Sequence, residues 1–184
     1  MFLIILMSQI ILKRLNGTDV IPDSVRETYI GSFPEAERRD WSDIVTRVTG
    51  NDPFFSLYVI EADGMPVGFV TTWLLPDALY VEHFAIFPHL RSNGLGAGSI
   101  AAIKALAPDK PVVLEVELPE TSHVAQRRIA FYERNGFTAM EDFPYFQPPY
   151  RPGGESVPLM LMVTTSLAEP QRFVIMLHTL VYNQ

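Results

Sequence analysis

Hydrophobic and polar residues follow two different periods along this chain, and each period predicts one kind of element. Segments rich in β-branched and aromatic residues predict strands, and apolar residues three or four positions apart predict helices. Strands are predicted at 9–15, 54–62, 67–75, 79–87, 112–118, 137–146 and 157–164. Helices are predicted around 25–30, at 32–50, 95–106 and 122–134, and from Pro170 onwards. This order predicts one mixed α/β domain over residues 1–184, with a core at about 9–165, a central seven-stranded sheet flanked by helices, and a C-terminal helix within 166–184.

The strand predicted at 79–87 is apolar on both faces, as expected for a central strand covered on both sides. Alternate residues of a strand point to opposite faces. One face is therefore assigned Tyr80, Glu82, Phe84 and Ile86, and the other Val81, His83 and Ala85. On this assignment His83 is a packed core histidine, pointing away from Glu82.

A glycine-containing turn, Arg91-Ser92-Asn93-Gly94-Leu95-Gly96, connects this strand to the next helix. Such a turn directs backbone N–H groups and the positive end of a helix dipole at one point, which makes an anion site. Gly94 and Gly96 allow the backbone to approach a phosphate closely. The dinucleotide fingerprint is excluded because the third glycine is missing at the required spacing, and the nucleotide-triphosphate loop because no lysine follows.

The composition narrows the chemistry further. Hydrophobic residues make up 48% of the chain and charged residues 19%, which is typical of a globular protein. The formal net charge of −7 argues against a nucleic-acid partner and fits a cationic partner such as an amine. The chain has no cysteine, which excludes disulfides, thiolate nucleophiles and zinc–cysteine sites, and its four histidines are scattered, so we expect no metal.

Residues 1–7 are apolar, but they do not resemble a signal peptide, since a basic start and a small-residue cleavage site are both missing. Even when it is extended to Leu12, the segment is shorter than the roughly 20 apolar residues that span a membrane. We therefore expect no membrane partner and a cytoplasmic location. Met1 and Met7 are both candidate starts, and residues 1–6 are the segment that an upstream start would add.

A second motif follows about 40 residues after the turn: Arg127-Arg128-Ile129-Ala130-Phe131-Tyr132-Glu133-Arg134-Asn135-Gly136-Phe137. A helix carrying a tyrosine four residues before Gly-Phe, preceded by an Arg-x-x-Gly-x-Gly turn with one strand between, resembles the GNAT superfamily of acyl-CoA-dependent N-acetyltransferases. The predicted element order matches the GNAT fold over roughly residues 9–165. The chain departs from the family pattern at Ala125, where the family often has asparagine, and at Arg128, where it often has alanine. Arg127 or Arg128 is either a phosphate ligand or part of a solvated helix face.

The resemblance implies a cofactor site for acetyl-CoA, or for a longer acyl-CoA, without a metal. The turn would hold the pyrophosphate, and the main chain of the preceding strand would pair with the pantetheine arm and polarise the acyl carbonyl. The residues implied are Phe84, Ala85, Ile86, Arg91, Ser92, Asn93, Gly94, Leu95, Gly96 and Ala97.

The resemblance also implies acetyl transfer to a primary amine by direct attack in a ternary complex. Tyr132 is the candidate acid for the leaving thiolate. Glu82 is the candidate base, with Glu117 or water as alternatives. A base is needed because a primary amine with a pKa near 10.4 is almost fully protonated at pH 7, and freeing its lone pair costs roughly 4.6 kcal/mol.

The acceptor, a small-molecule or peptidyl amine, is expected to lie near the segments 32–39 and 145–154, with Glu35, Tyr145 and Tyr150 as candidate contacts. A homodimer formed through the last strands or the terminal helix is also considered, on an apolar face that includes Phe173, Val174, Met176 and Leu177. The alternative function is a non-catalytic acyl-CoA-binding sensor or interaction module on the same fold. Such a protein would need the turn at Arg91 but neither Tyr132 nor a base.

Overall fold

The computed structural model describes residues 9–183, and the strands within this range form one eight-stranded sheet. The strands are β1 (Ile10–Arg14), β2 (Phe55–Ala62), β3 (Met65–Leu74), β4 (Leu79–Ile86), β5 (Val112–Glu117), β6 (Thr138–Ala139), β7 (Tyr145–Gln147) and β8 (Val157–Val163). They are ordered β1-β2-β3-β4-β5-β8-β6, with β7 paired to the other end of β8. The β4–β5 pair is parallel and the others are antiparallel. The predicted mixed α/β class is confirmed.

The strand predicted at 137–146 is two short strands, β6 and β7, which is why the described sheet has eight strands and not seven. A turn closed by the N–H of Phe143 and the carbonyl of Met140 separates them. Pro144 follows this turn and has no N–H for a sheet ladder. Both strands pair with β8, so the change affects the strand count and leaves the layers as predicted.

Five α-helices lie within the described residues: α1 (Asp23–Ser32), α2 (Trp41–Thr49), α3 (Leu95–Lys104), α4 (His123–Arg134) and α5 (Pro170–Val181). The helix predicted at 32–50 begins only at Trp41, because Arg38 and Asp40 have extended backbone angles after a short 3-10 turn. Ser122 caps α4, where its side chain accepts a hydrogen bond from the Ala125 N–H at 3.0 Å. Gly136, with φ of +82°, follows α4 as a left-handed stop, as predicted.

Each face of the sheet has its own hydrophobic cluster. The first cluster joins the sheet to α1, α2 and α5, and the second joins it to α3 and α4. Phe173 and Leu177 of α5 are buried in the first cluster, and Val174 and Met176 pack against it. The face of α5 that we predicted as a possible dimer contact is therefore used within the chain, because it covers the sheet.

Two sequence-based expectations concern the ends and the membrane. The choice between Met1 and Met7 falls outside the described residues. Within residues 9–183, every helix is too short or too polar to cross a membrane.

Gly68 in β3 provides a test of how closely β3 and β4 pack. A Cβ at this position would overlap the carbonyl oxygen of Ala85 in β4, whereas a Cβ at Gly31 in α1 would meet nothing within 4 Å. We expect Gly68→Ala to destabilise the fold by about 1–3 kcal/mol through overpacking. Gly31→Ala, the matched control, should stabilise it by roughly 0.5–1 kcal/mol because alanine favours the helix. Urea unfolding of both variants measures this, and equal stabilities would contradict the packing described.

Candidate functional site

The two central strands of the sheet separate after a short contact. β4 and β5 pair only through Leu79–Val112, Tyr80–Val113 and Val81–Leu114. Beyond these pairs β4 continues to pair with β3, and β5 continues to pair with β8. A gap therefore opens in the middle of the sheet, bordered by the second half of β4 and the end of β5.

Main-chain groups of β4 face this gap at alternate residues. The carbonyl of Ala85 lies against Gly68 of β3, and the N–H of Phe87 donates to the Val67 carbonyl on the same side. The main chains of Phe84 and Ile86 therefore point the other way, into the gap, where the Ile86 carbonyl accepts a hydrogen bond from Arg91 Nε at 3.0 Å. Of the three predicted main-chain contacts, Phe84 and Ile86 have this orientation and Ala85 does not.

A cavity of about 760 Å³ occupies the gap and is lined by residues from both faces of the sheet. Leu95, Phe131 and Tyr132 line it on the side of α3 and α4, and they belong to or pack against the second cluster. Phe33 and Leu159 line it on the opposite side, with the first cluster. The cavity therefore passes through the sheet, and one extended ligand could approach each face separately.

The predicted turn forms the rim of this cavity on the α3 side. Ser92 and Gly94 have positive φ angles of 69° and 77°, a backbone arrangement in which successive N–H groups converge on one concave side. Gly94 precedes α3, whose first-turn N–H groups have no partners within the helix. Arg91 is fixed by its bond to Ile86 and by a second one, 3.0 Å long, to the Ser32 hydroxyl. The turn therefore has the geometry of an anion site.

Nine of the ten predicted cofactor residues line the cavity: Phe84, Ala85, Ile86, Arg91, Ser92, Gly94, Leu95, Gly96 and Ala97. The tenth, Asn93, donates its side-chain amide to the Leu90 carbonyl at 3.3 Å and closes the turn. Gly96 has a packing role beside the one predicted, because a Cβ there would lie 3.1 Å from the Phe131 ring. It therefore allows the start of α3 to approach α4.

Tyr132, the predicted acid, lies in α4 with its ring against Phe131 and Phe137 and only 8% of its surface exposed. It lines the cavity, and its hydroxyl has no hydrogen-bond partner among the described residues. Burial raises the pKa of Tyr132 to about 12, partly offset by the charge of Arg128. The phenol therefore keeps its proton across the physiological range and is free to donate it.

A β-bulge in β4 changes the predicted faces. Thr71 of β3 is opposite His83 and Thr72 is opposite Val81, so that Glu82 is an extra residue. The His83 N–H donates instead to the Thr71 hydroxyl at 3.0 Å. Because of the bulge, Glu82 and His83 lie on the same face of the sheet, with His83 Nδ1 3.7 Å from the Glu82 carboxylate, and not on opposite faces as predicted. The predicted faces of the following residues are wrong as well, since Ala85 is in the first cluster with Tyr80, whereas Ile86 is in the second cluster and Phe84 packs against it. His83 is 2% exposed, which confirms its predicted packed environment.

Glu82 lines the cavity only through its main chain, because its side chain is 0% exposed. Its carboxylate accepts hydrogen bonds from Arg39 Nε at 2.7 Å, Trp73 Nε1 at 3.0 Å and the Tyr150 hydroxyl at 3.2 Å. Burial alone would raise the pKa of Glu82, but the charge of Arg39 and the bonds from His83 and Trp73 hold it well below its usual range. The predicted role of general base does not fit this environment, since the carboxylate stays ionised beside Arg39 and is a weak proton acceptor.

Glu115 of β5, which sequence reasoning did not select, has the opposite environment. Glu115 lines the cavity, its carboxylate is buried on the face opposite to Tyr132, and the hydroxyls of Tyr145 and Tyr182 donate to that carboxylate. No lysine, arginine or histidine among the described residues pairs with it. Burial raises the pKa of Glu115 to about 7, although the tyrosine hydrogen bonds lower it. A carboxylate with this pKa can accept a proton near neutral pH.

The other predicted acidic candidate, Glu117, lies in an ion pair 2.8 Å long with Arg128, and both side chains are partly exposed. The guanidinium of Arg128 faces Glu117, and Arg128 also lines the cavity. Arg127 lines the cavity on the α4 side. Burial and the neighbouring Glu117 raise the pKa of Glu37, which also lines the cavity.

The three predicted acceptor contacts do not line the cavity. The carboxylate of Glu35 is 77% exposed and lies 3.8 Å from Arg151. Tyr145 and Tyr150 lie behind the cavity wall, where their hydroxyls donate to Glu115 and Glu82. Their predicted role changes accordingly, because they contact the two buried carboxylates and not the open space.

Arg39, Glu115 and Tyr182 are the site residues that sequence reasoning missed. Arg39 is 3% exposed, which is unusual for arginine, but the sequence places it in an apparently polar run next to Arg38. Of the three, Glu115 had a signal in the sequence, because it is an acidic residue between apolar ones in a predicted central strand. Tyr182 had no local signal, because its partners lie 67 and 102 positions earlier in the chain.

Comparisons with known proteins agree with this geometry. A family model described as "Acetyltransferase (GNAT) family" matches residues 20–137. A putative GNAT-family acetyltransferase from Bacteroides thetaiotaomicron is 36% identical, with a TM-score of 0.81, over 88% of this chain and 92% of that one. A GNAT acetyltransferase from Elizabethkingia anophelis, solved with acetyl-CoA bound, is 13% identical with a TM-score of 0.57 over 85% and 98%. Arabidopsis thaliana Naa50, in complex with a bisubstrate analogue, is 14% identical with a TM-score of 0.55 over 85% and 99%. The comparison with curated proteins gave no match.

The buried Arg39–Glu82 pair leads to a stability prediction. Arg39→Met should cost about 3–5 kcal/mol, because it leaves an enclosed carboxylate without its cation. Adding Glu82→Gln removes that charge, so the double variant should be more stable than Arg39→Met alone. Arg172→Met is the matched control, since Arg172 and Glu169 are both 67% exposed and should contribute under about 1 kcal/mol. Urea unfolding at pH 7 compares the three, and an Arg39→Met cost no larger than that of Arg172→Met would contradict the description of the pair.

Proposed function

This chain belongs to the GNAT family of acetyltransferases, and from that premise we propose that it moves the acetyl group of acetyl-CoA to a primary amine by direct attack in a ternary complex. The observation that carries the proposal is the cavity through the sheet. It has an anion-binding turn and a free phenol on one face and a proton-accepting carboxylate on the other. A thioester and an amine entering from opposite faces would meet between them.

The residues on the α3 side fit the acyl donor. The turn with Ser92 and Gly94 and the start of α3 would hold the pyrophosphate through backbone N–H groups. The main-chain groups of Phe84 face the gap without a strand partner, so they suit the amides of an extended pantetheine arm. The related fold from Elizabethkingia anophelis was solved with acetyl-CoA, which supports this assignment.

Proton removal from the amine is assigned to Glu115 in place of Glu82. The amine arrives as an ammonium ion, and Glu115 takes a proton so that the nitrogen lone pair can attack the thioester carbon. Glu115 is suited to this step because it lines the cavity and has no cation to keep it deprotonated at low pH. Glu82 stays ionised beside Arg39, and its role is to anchor β4 at the bulge.

Collapse of the intermediate breaks the carbon–sulfur bond, and the electron pair leaves on sulfur. Tyr132 donates its hydroxyl proton to this thiolate and is later reprotonated from water. Its hydroxyl has no competing partner among residues 9–183, and its raised pKa keeps it protonated until it is needed. The chain contributes no cysteine that could carry a covalent acyl intermediate, and the proposed transfer is direct.

The acceptor is proposed as a small-molecule or peptidyl primary amine. Glu37 and Glu117 line the cavity and would attract its positive charge. The cytoplasmic location and the homodimer stay predictions from the sequence. The choice between acetyl and a longer acyl group stays open. A non-catalytic acyl-CoA sensor on the same fold would bind acetyl-CoA without turnover, so an assay with a panel of amines and thiol detection separates the two functions.

Two variants test the donor site. Tyr132→Phe should lower kcat by about 100-fold or more through loss of the acid, with acetyl-CoA affinity unchanged. Gly94→Glu should abolish acetyl-CoA binding, because it places a side chain and a negative charge where φ is +77°. Gly153→Glu is the matched control, since Gly153 has a φ of +78°, nothing within 4 Å of a Cβ and no place in the cavity lining. Titration calorimetry and thiol release measure both effects, and a fully active Tyr132→Phe would refute the acid role.

Glu115 predicts a pH dependence. Only its ionised form accepts a proton, so kcat should rise with pH through about 7 and level off above it. Glu115→Gln should remove this limb and lower kcat by about 100-fold or more, with acetyl-CoA binding intact. Glu117→Gln, two positions further along β5, should keep the limb. An unchanged profile in Glu115→Gln would assign the proton to another group.

A further inference from the structure

The chain after β8 reaches back to Glu115, and this contact has no counterpart in the predicted site. We propose that Tyr145 and Tyr182 are positioning residues whose hydroxyls orient the Glu115 carboxylate and favour its ionised form, so that the C-terminal helix α5 is part of the catalytic site. The proposal rests on the function proposed above. It adds residues that lie beyond the stretch 20–137 matched by the family model.

The hydrogen bonds define the direction in which protons point. The Tyr182 hydroxyl lies 2.9 Å from one carboxylate oxygen of Glu115 and 3.1 Å from the other, and the Tyr145 hydroxyl donates to the same group. Each phenol has one proton to give. When Tyr182 gives its proton to Glu115, it can only accept from Tyr80, whose hydroxyl is 3.0 Å away. The hydroxyl protons of Tyr145 and Tyr182 are therefore directed at the Glu115 carboxylate, and the hydroxyl proton of Tyr80 is directed at Tyr182.

Among residues 9–183, no lysine, arginine or histidine forms an ion pair with Glu115. Titratable groups face it from β4, from β7, from the segment before β8, from α5 and from its own strand. They are Tyr80, Glu82, Tyr145, Tyr150 and Tyr182, with His178 in ring contact with Tyr145 and Tyr182 and Glu117 two positions further along β5. Arg39 forms an ion pair with Glu82, and the negative charge of Glu82 opposes ionisation of Glu115. The tyrosine hydroxyls are thus the groups that stabilise the ionised carboxylate.

Tyr182 is held in place by the whole of α5. Phe173, Leu177 and Val181 are at most 2% exposed and fix the helix on the sheet. The guanidinium of Arg39 donates to the Val181 carbonyl at the end of the helix, where a cation is favoured by the helix dipole. Arg39 therefore joins the end of α5 to Glu82, and the next residue of the chain presents its hydroxyl to Glu115.

Removing one of these hydroxyls should move the ionisation of Glu115 in a defined direction. A hydrogen bond donated to a carboxylate favours its ionised form, so the loss of that bond raises the carboxylate pKa by roughly one to two units. The limb in the kcat profile should then move to higher pH by about one unit or more. A merely structural tyrosine would lower stability and leave the midpoint where it was.

The experiment compares Tyr182→Phe and Tyr145→Phe with Tyr150→Phe in the full chain. The first two should shift the limb upward. Tyr150→Phe is the matched control, because it removes a buried hydroxyl that bonds to Glu82 at 3.2 Å and lies 3.5 Å from Tyr182, and it should leave the midpoint in place. Incorporation of 3-fluorotyrosine at position 182 keeps the packing and provides a more acidic donor, so it should shift the limb downward. This variant keeps the test decisive if Tyr182→Phe fails to fold.

A second readout needs no turnover. Infrared difference spectra between the wild type and Glu115→Gln isolate the carboxylic-acid band of Glu115 and give its titration midpoint in the enzyme alone. The same shifts in this infrared midpoint support the positioning role of the two tyrosines whether or not an amine is acetylated. If the midpoint shifts and no amine is acetylated, the proposed function is refuted and the positioning role is supported. Midpoints unchanged in both Tyr182→Phe and Tyr145→Phe would overturn the proposal.

Discussion

Separation of β4 from β5 is the constraint on which the rest of the site depends. A sheet normally pairs every central strand on both edges, and an unpaired edge must find other hydrogen-bond partners. Here the bulge at Glu82 turns β4 away after three paired residues, and the second half of the strand keeps a free edge inside the molecule. Helices α3 and α4 on one face, and β7 with α5 on the other, enclose that edge. An extended ligand with amides of its own is suited to complete it.

The same separation gives the two neighbouring carboxylates different chemistry. Glu82 belongs to the bulge and turns its side chain into the first cluster, where Arg39 neutralises it. Glu115 belongs to the strand that leaves β4, so it lines the cavity, and its carboxylate accepts hydrogen bonds from the hydroxyls of Tyr145 and Tyr182. Two carboxylates whose environments push their pKa values apart are a recurring arrangement in acid–base catalysis. The ionised Glu82 also discourages a second charge nearby, which contributes to the raised pKa of Glu115.

How well the sequence predicted each feature depends on how far apart along the chain the interacting residues lie. The turn, its Gly94 and the helix with Tyr132 depend on residues within a few positions of one another, so their patterns were readable. The faces of β4 were predicted from strict alternation, and a single extra residue at Glu82 reversed the assignment for His83. No local signal announces a bulge, because it depends on which residue of β3 each residue of β4 meets. The pairing of Arg39 with Glu82 links positions 43 apart and could not be read from spacing.

This difference in range also separates the two halves of the proposed reaction. The donor side consists of two short segments, at 84–97 and 127–137, that a family model can recognise. The acceptor side combines Arg39, Glu115, Tyr145 and Tyr182, of which the two tyrosines lie beyond the matched residues 20–137. Changes in β7 or α5 would therefore alter the proton acceptor and its surroundings and leave the donor turn untouched. The acceptor of this chain is therefore expected to depend on the cavity around Glu115, whose carboxylate Tyr145 and Tyr182 hold from behind.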